Sequence, residues 1–89
     1  MNKICAVCGS SNNIHIHHII FGKNRKKADE DKLVIPLCYE HHEGMHGVHG
    51  KYGSELDLKL KKEAEIKWLL QDYDRSINDF IKRYGKNYL

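Results

Sequence analysis

The chain is poor in several things that would narrow its class. Among 89 residues there is one proline, Pro36, and aromatic residues make up only 9%. No run approaches the ~18 consecutive apolar residues that a membrane span requires, so no membrane partner is expected. Three cysteines, an odd number, argue against a disulfide framework. The opening MNKICAVCGS lacks an apolar core of signal-peptide length, which points to a cytoplasmic protein. Neither cysteine nor histidine occurs after His49. The net charge of +3 is too small to select a partner by itself. A chain of this length makes one domain at most, 1–89, and its small core calls for a staple.

What is present lies mostly in the first half. Residues 1–50 hold all three cysteines and all seven histidines, whereas residues 51–89 read as helical. CAVCGSS forms a knuckle, with Gly9 allowing two thiolates to approach closely. NIHIHHIIF alternates and is β-branched, so a strand is expected over 13–21. GKNRKKADED, 22–31, reads as a polar loop, and KLVIPL as a second short strand. CYEHHEGMH starts like a helix whose length Gly44, Gly47 and Gly50 leave open.

Two pairs of ligands then stand out. Cys5-x2-Cys8 and Cys38-x2-His41 each present two donors on one turn, and together they supply the four tetrahedral ligands of structural Zn2+. A hairpin must lie between them. His15, His17, His18, His42, His46 and His49 remain outside that set. His17 and His18 are adjacent on a strand, so their rings point to opposite faces. His42 and His46 are spaced to share one ion on a regular helix. Lys23, Arg25, Lys26 and Lys27 form a basic cluster suited to phosphates, though a solvated loop is the bland alternative.

From Ser54, a residue suited to a helix N-cap, ELDLKLKKEAEIKWLLQDY predicts a long helix. Glu55–Lys59, Asp57–Lys61 and Glu63–Lys67 are acid-first pairs four residues apart. Leu56, Leu60, Ala64, Ile66, Leu70 and Tyr73 define its expected apolar face, and Trp68 is expected in a core or partner contact. A second helix follows, capped by Asp74 or Ser76. It carries Ile77, Phe80, Ile81 and Tyr84 at helical spacing, with Gly85 at its end.

The pattern CxxC, then HHI, then LCxxHH with a later GVH resembles the HNH nucleases. HHIIFGKNRKKADEDKLVIPLCYEHHEGMHGVHG, ELDLKLKKEA and RSINDFIKRYGKNYL are most similar to the phage recombination-enhancement, RecA-dependent nucleases. The resemblance implies a small α+β fold: a zinc-stapled ββα-metal (HNH, His-Me finger) core followed by two C-terminal helices. It implies a DNA endonuclease in which His18 is the general base, while His17 and His42 hold a catalytic Mg2+ or Mn2+, or Zn2+. The last ligand is open. H-x3-H spacing selects His46, and the GVH context selects His49. On a regular helix His49 would lie about 10 Å along the axis from His42, so it requires a broken helix. The middle residue of the motif is equally open among Asn24, Asp31 and Lys32. Lys23, Asn24, Arg25, Lys26 and Lys27 would hold DNA, a RecA-type recombinase filament would be a partner, and the setting would be a bacterial host cell. The alternatives are a non-catalytic zinc-binding DNA module and a recombinase-interacting module. Oligomeric state and substrate form stay unassigned.

Overall fold

The computed structural model describes residues 3–20 and 22–89. The chain is a small α+β protein with one two-stranded antiparallel sheet and several helices. Strand β1 (His15–His18) pairs with β2 (Val34–Leu37), with His15 opposite Leu37 and His18 opposite Val34. The expected strands are trimmed by turns. Asn13 at φ +49° precedes β1, and Lys32 at φ +60° precedes β2. The strand expected over 13–21 included Phe21, which lies outside the described residues. Pro36 is tolerated because both strands of a two-stranded sheet are edges: its carbonyl turns outward to accept from the Ala6 N–H of the knuckle at 2.9 Å, so its nitrogen, which has no N–H to give, lies outside the ladder with β1. That bond ties the N-terminal knuckle to β2.

The segment between the strands differs from its expected form as a polar loop. A 3-10 turn over Gly22–Asn24 leads into helix α1 (Arg25–Glu30). Arg, Lys, Ala and Glu all favour helix, and Ala28, the one apolar residue there, is fully buried. The Leu33 N–H then closes on the Ala28 carbonyl at 2.8 Å and returns the chain to β2. A single apolar position leaves no period to read, which is why the charges suggested a loop.

Cys38 caps α2 (Tyr39–His42), a single turn. Beyond it the chain doubles back through glycine-rich turns. Val48 N–H donates to His41 O, and His49 N–H to His42 O, both at 3.0 Å. At Gly50 and Gly53 a Cβ would overlap the carbonyls of Gly44 and Gly47, so only glycine permits this close approach.

Helix α3 (Ser54–Gln71) begins with Gly53 as its cap, one residue before the expected Ser54. Its buried face is Leu60, Ala64, Glu65 and Trp68. Leu56 is half-buried, whereas Ile66, Leu70 and Tyr73 are exposed, contrary to expectation. Apolar residues surround this helix, so periodicity alone does not select a face. Trp68 decides it, because its indole N–H reaches Asp31 at 2.9 Å while its rings pack on Phe80. Asp57 and Lys61 form their ion pair at 2.7 Å, but Lys67 donates instead to the Lys32 carbonyl.

Helix α4 (Ile77–Tyr84) has Ser76 as its cap, with a reciprocal bond pair to Asp79, and ends at Gly85 with φ +82°. Phe80 and Tyr84 enter the core, and Ile77 and Ile81 stay exposed. The core joins both halves of the chain: Cys5, Leu33, Leu37 and Cys38 cluster with Leu60, Trp68 and Phe80. No helix among the described residues is long and apolar enough to cross a membrane.

Candidate metal centres and active site

The knuckle and the start of α2 bring Cys5, Cys8, Cys38 and His41 together. Cys8 Sγ lies 3.7 Å from Cys38 Sγ, and His41 Nδ1 lies 3.3 Å from Cys38 Sγ and 3.8 Å from Cys5 Sγ. A tetrahedral zinc with thiolate and imidazole bonds requires edges of about 3.6–3.8 Å. The donor set and its dimensions therefore fit a metal ion. The electrostatics agree for Cys5. Burial opposes its thiolate, but N–H groups of Cys38, Cys8 and Val7 outweigh that and bring it to about 6. Cys8 moves the other way. The Ser10 N–H lowers it, yet burial and the neighbouring thiols of Cys38 and Cys5 leave it raised. Thiols crowded this closely resist joint ionisation without a cation among them.

A second group forms across the other side of α2. Ligand nitrogens of His17, His42 and His49 lie within 4.8 Å of one another. Their rings are edge-on, with centroids 5.2 Å apart for His17–His42 and His17–His49, and 4.9 Å for His42–His49. The end of α2 at His42 makes this convergence feasible, since the turn carries His49 back beside it. His46 instead stacks on Tyr52, with centroids 5.5 Å apart, because the helix that would have aligned it with His42 stops. His17 is buried, and burial followed by the neighbouring His42 and His49 lowers its proton affinity to about 4. His42 is lowered by burial and then by the neighbouring His49 and His15, and its Nδ1 is buried with no hydrogen-bond partner. Neutral imidazoles with inward nitrogens fit a bound divalent cation.

His15 shares the β1 face of His17, and its ring lies 5.2 Å from that of His42. With His42 and Glu43 it makes a third group able to hold a metal, at the exposed rim. His18 points off the opposite side of β1 and is largely enclosed. It opens onto a cavity of about 410 Å³ shared with His17, His42, His49 and Arg25. A neighbouring groove of about 620 Å³ is lined by His18, Gly22, Lys23, Arg25, Lys26 and Asp29. The two share His18, Gly22 and Arg25, so the histidine site continues into a basic channel.

Not every residue expected to hold DNA faces that channel. Asn24 Nδ2 donates to the Tyr84 carbonyl and Lys27 Nζ to the Arg83 carbonyl, each at 3.0 Å. Both satisfy the end of α4 rather than lining the groove. Asp31 is likewise structural. Its carboxylate accepts from Trp68, from Arg83 and from the Tyr84 hydroxyl, which joins α1, α3 and α4. Burial works against its charge, but the Tyr84 and Arg83 hydrogen bonds hold its carboxyl below the usual range. Lys32 is the left-handed turn residue before β2 and offers its carbonyl to Lys67.

Sequence reasoning missed two carboxylates. Asp29 Oδ1 lies 3.4 Å from His18 Nε2, a contact visible only once α1 is recognised as helix. Glu65 is fully buried on α3, where Oε1 accepts from the Tyr88 N–H at 2.7 Å and pins the C-terminal tail. Its helical position among charged neighbours gave no signal of that.

No curated protein and no solved structure matches the chain. The family described as Protein of unknown function (DUF968) matches residues 1–77, and the chain belongs to that family.

Proposed function

We propose that this protein is a metal-dependent DNA endonuclease of the HNH type, in which the β1–β2 hairpin and α2 act as a ββα-metal core. The observation that carries the reading is one cavity: His18 stands beside the His17, His42 and His49 group, and Arg25 lines the same wall. A purely structural zinc module has no use for a second, open histidine group next to an enclosed imidazole. A metal-dependent phosphodiester hydrolase can use both, the one to hold an ion and the other to take a proton from water.

His18 takes the proton from the attacking water while the new oxygen–phosphorus bond forms and the 3′ oxygen leaves. Arg25, with Lys23 and Lys26 along the groove, binds the DNA backbone, giving salt-sensitive contacts with little base readout. His17, His42 and His49 would hold Mg2+ or Mn2+, or Zn2+, which an all-imidazole donor set suits by ligand type. When bound, such an ion supplies charge neutralisation at the phosphate and leaving oxygen. The Cys5, Cys8, Cys38 and His41 group holds structural Zn2+ in this reading. The resemblance to recombination-enhancement nucleases adds a setting, the cytoplasm of a bacterial host, and a partner, a RecA-type recombinase filament.

The test is cleavage of single-stranded and duplex DNA with Mg2+ or Mn2+, with and without recombinase filament, for wild type beside His18→Ala. Loss of the general base should slow cleavage by about 10²–10⁴-fold. Equal cleavage by both proteins removes His18 from the reaction. If both are inert in every condition, the nuclease reading falls, and DNA binding by the same proteins would then favour a non-catalytic module.

A further inference from the structure

We propose that Asp29 is a positioning residue for His18, orienting its ring and fixing which nitrogen carries the proton; this rests on the nuclease reading above. The carboxylate oxygen Oδ1 lies 3.4 Å from His18 Nε2. That is within ion-pair reach and slightly long for a hydrogen bond, as catalytic contacts often are before substrate binds. His18 is held on β1, where its backbone stands opposite Val34. Asp29 lies on the last turn of α1.

A neutral imidazole carries one N–H and one bare nitrogen. With a carboxylate at Nε2, the proton resides there and Nδ1 keeps the lone pair. Nδ1 is then the atom that takes the proton from water, as the water oxygen bonds to phosphorus and the P–O3′ bond breaks. The departing 3′ oxygen acquires its proton from solvent.

The location of Asp29 argues for such a role. Its side chain is 72% exposed, so the fold gains little from it, and it shares the groove with Lys23, Arg25 and Lys26. A negative charge in a channel that binds phosphates opposes DNA binding. The two effects therefore have opposite signs, and that separates positioning from a surface or structural role.

The experiment compares full-length wild type, Asp29→Asn and Asp29→Glu, zinc-loaded and with Mn2+. Cleavage kinetics, DNA affinity and thermal midpoint are measured for each. Asp29→Asn should lower kcat by about tenfold to a hundredfold. Its KM and DNA Kd should stay the same or fall, and its Tm should not move. Asp29→Glu, which keeps a carboxylate near Nε2, should recover most of the lost kcat. An unchanged kcat in Asp29→Asn with an active wild type overturns this inference and leaves the nuclease reading intact. A loss of kcat matched by weaker DNA binding or lower Tm also overturns it. A wild type inert on every DNA form overturns both.

Discussion

The imidazole of His17 is buried between two others, and the consequences are set by the sign of its shift. Its folded value near 4 lies below the ~6.5 of an unperturbed histidine, so the folded state binds fewer protons than the unfolded chain. The stability that neutral His17 contributes is complete above about pH 6.5 and is lost as the pH falls towards 4. Without added divalent ion, the urea midpoint of the wild type should therefore drop across that window. His17→Gln should drop less, and equal slopes for the two proteins would remove His17 as the source. The same burial keeps the ring neutral and ready to bind a cation at neutral pH. The two candidate last ligands can be separated directly. His49→Ala should weaken Mn2+ binding at least about tenfold, while His46→Ala, which loses only a stack on Tyr52, should leave it unchanged. Titration calorimetry on the zinc-loaded protein reads both, and a larger effect from His46→Ala would reverse the choice.

At the level of elements, the loop from Gly44 to Gly53 is what delivers His49. Gly50→Ala would drive a methyl group into the Gly44 carbonyl, so the loop must open. We expect the variant to keep its helices by far-UV circular dichroism while losing Mn2+ affinity. Retained affinity would show that the loop can relax without moving His49. Asp31 works on a larger lever, since one carboxylate serves Trp68 of α3 and Arg83 and Tyr84 of α4. Asp31→Ala should cost about 1–3 kcal/mol in chemical denaturation, because it leaves the buried Trp68 indole N–H without its acceptor, whereas the Tyr84 hydroxyl keeps the Lys27 carbonyl and Arg83 keeps Glu30. These elements differ in how far the sequence disclosed them. Ser76, one of the two caps expected beside Asp74, and Gly85 marked the ends of α4, because capping is local chemistry, while the reciprocal bonds with Asp79 emerged only in the fold. The CxxC and CxxH pairs also announced themselves, since each donor pair sits on one turn. Helix α1 was hidden by its charges, with Ala28 its only apolar residue. The buried face of α3 was hidden because its partner, Asp31, lies far away along the chain. The choice of His49 over His46 depended on where α2 stops, and glycines permit a stop without locating it.

The whole molecule is small enough for one metal to decide whether it folds. Its hydrophobic cluster passes through Cys5 and Cys38, so the sulfur group is part of the core rather than an attachment to it. The Ala6–Pro36 hydrogen bond also joins the knuckle to the sheet. A structural zinc contributes an apparent ~10–16 kcal/mol, and a domain of ordinary stability has only ~5–15 kcal/mol in total. On the proposed reading that Cys5, Cys8, Cys38 and His41 hold zinc, these magnitudes predict that removing it unfolds the domain rather than loosening one end. The sheet would go with it, because β2 runs directly into Cys38, and the histidine site built on β1 and α2 would be lost as well. Helix α3, at 18 residues, is only marginal in isolation and should survive in part at most. Chelation at neutral pH should thus abolish the cooperative thermal transition and expose Trp68, which is 4% exposed in the fold, shifting its fluorescence to longer wavelength. Cys8→Ser should reproduce this without chelator, since Cys8 lies at the surface and its hydroxyl replacement removes a ligand without removing core. A chelated protein that keeps its transition temperature and its buried tryptophan would show that the aliphatic core suffices, and that the sulfur group serves something other than folding.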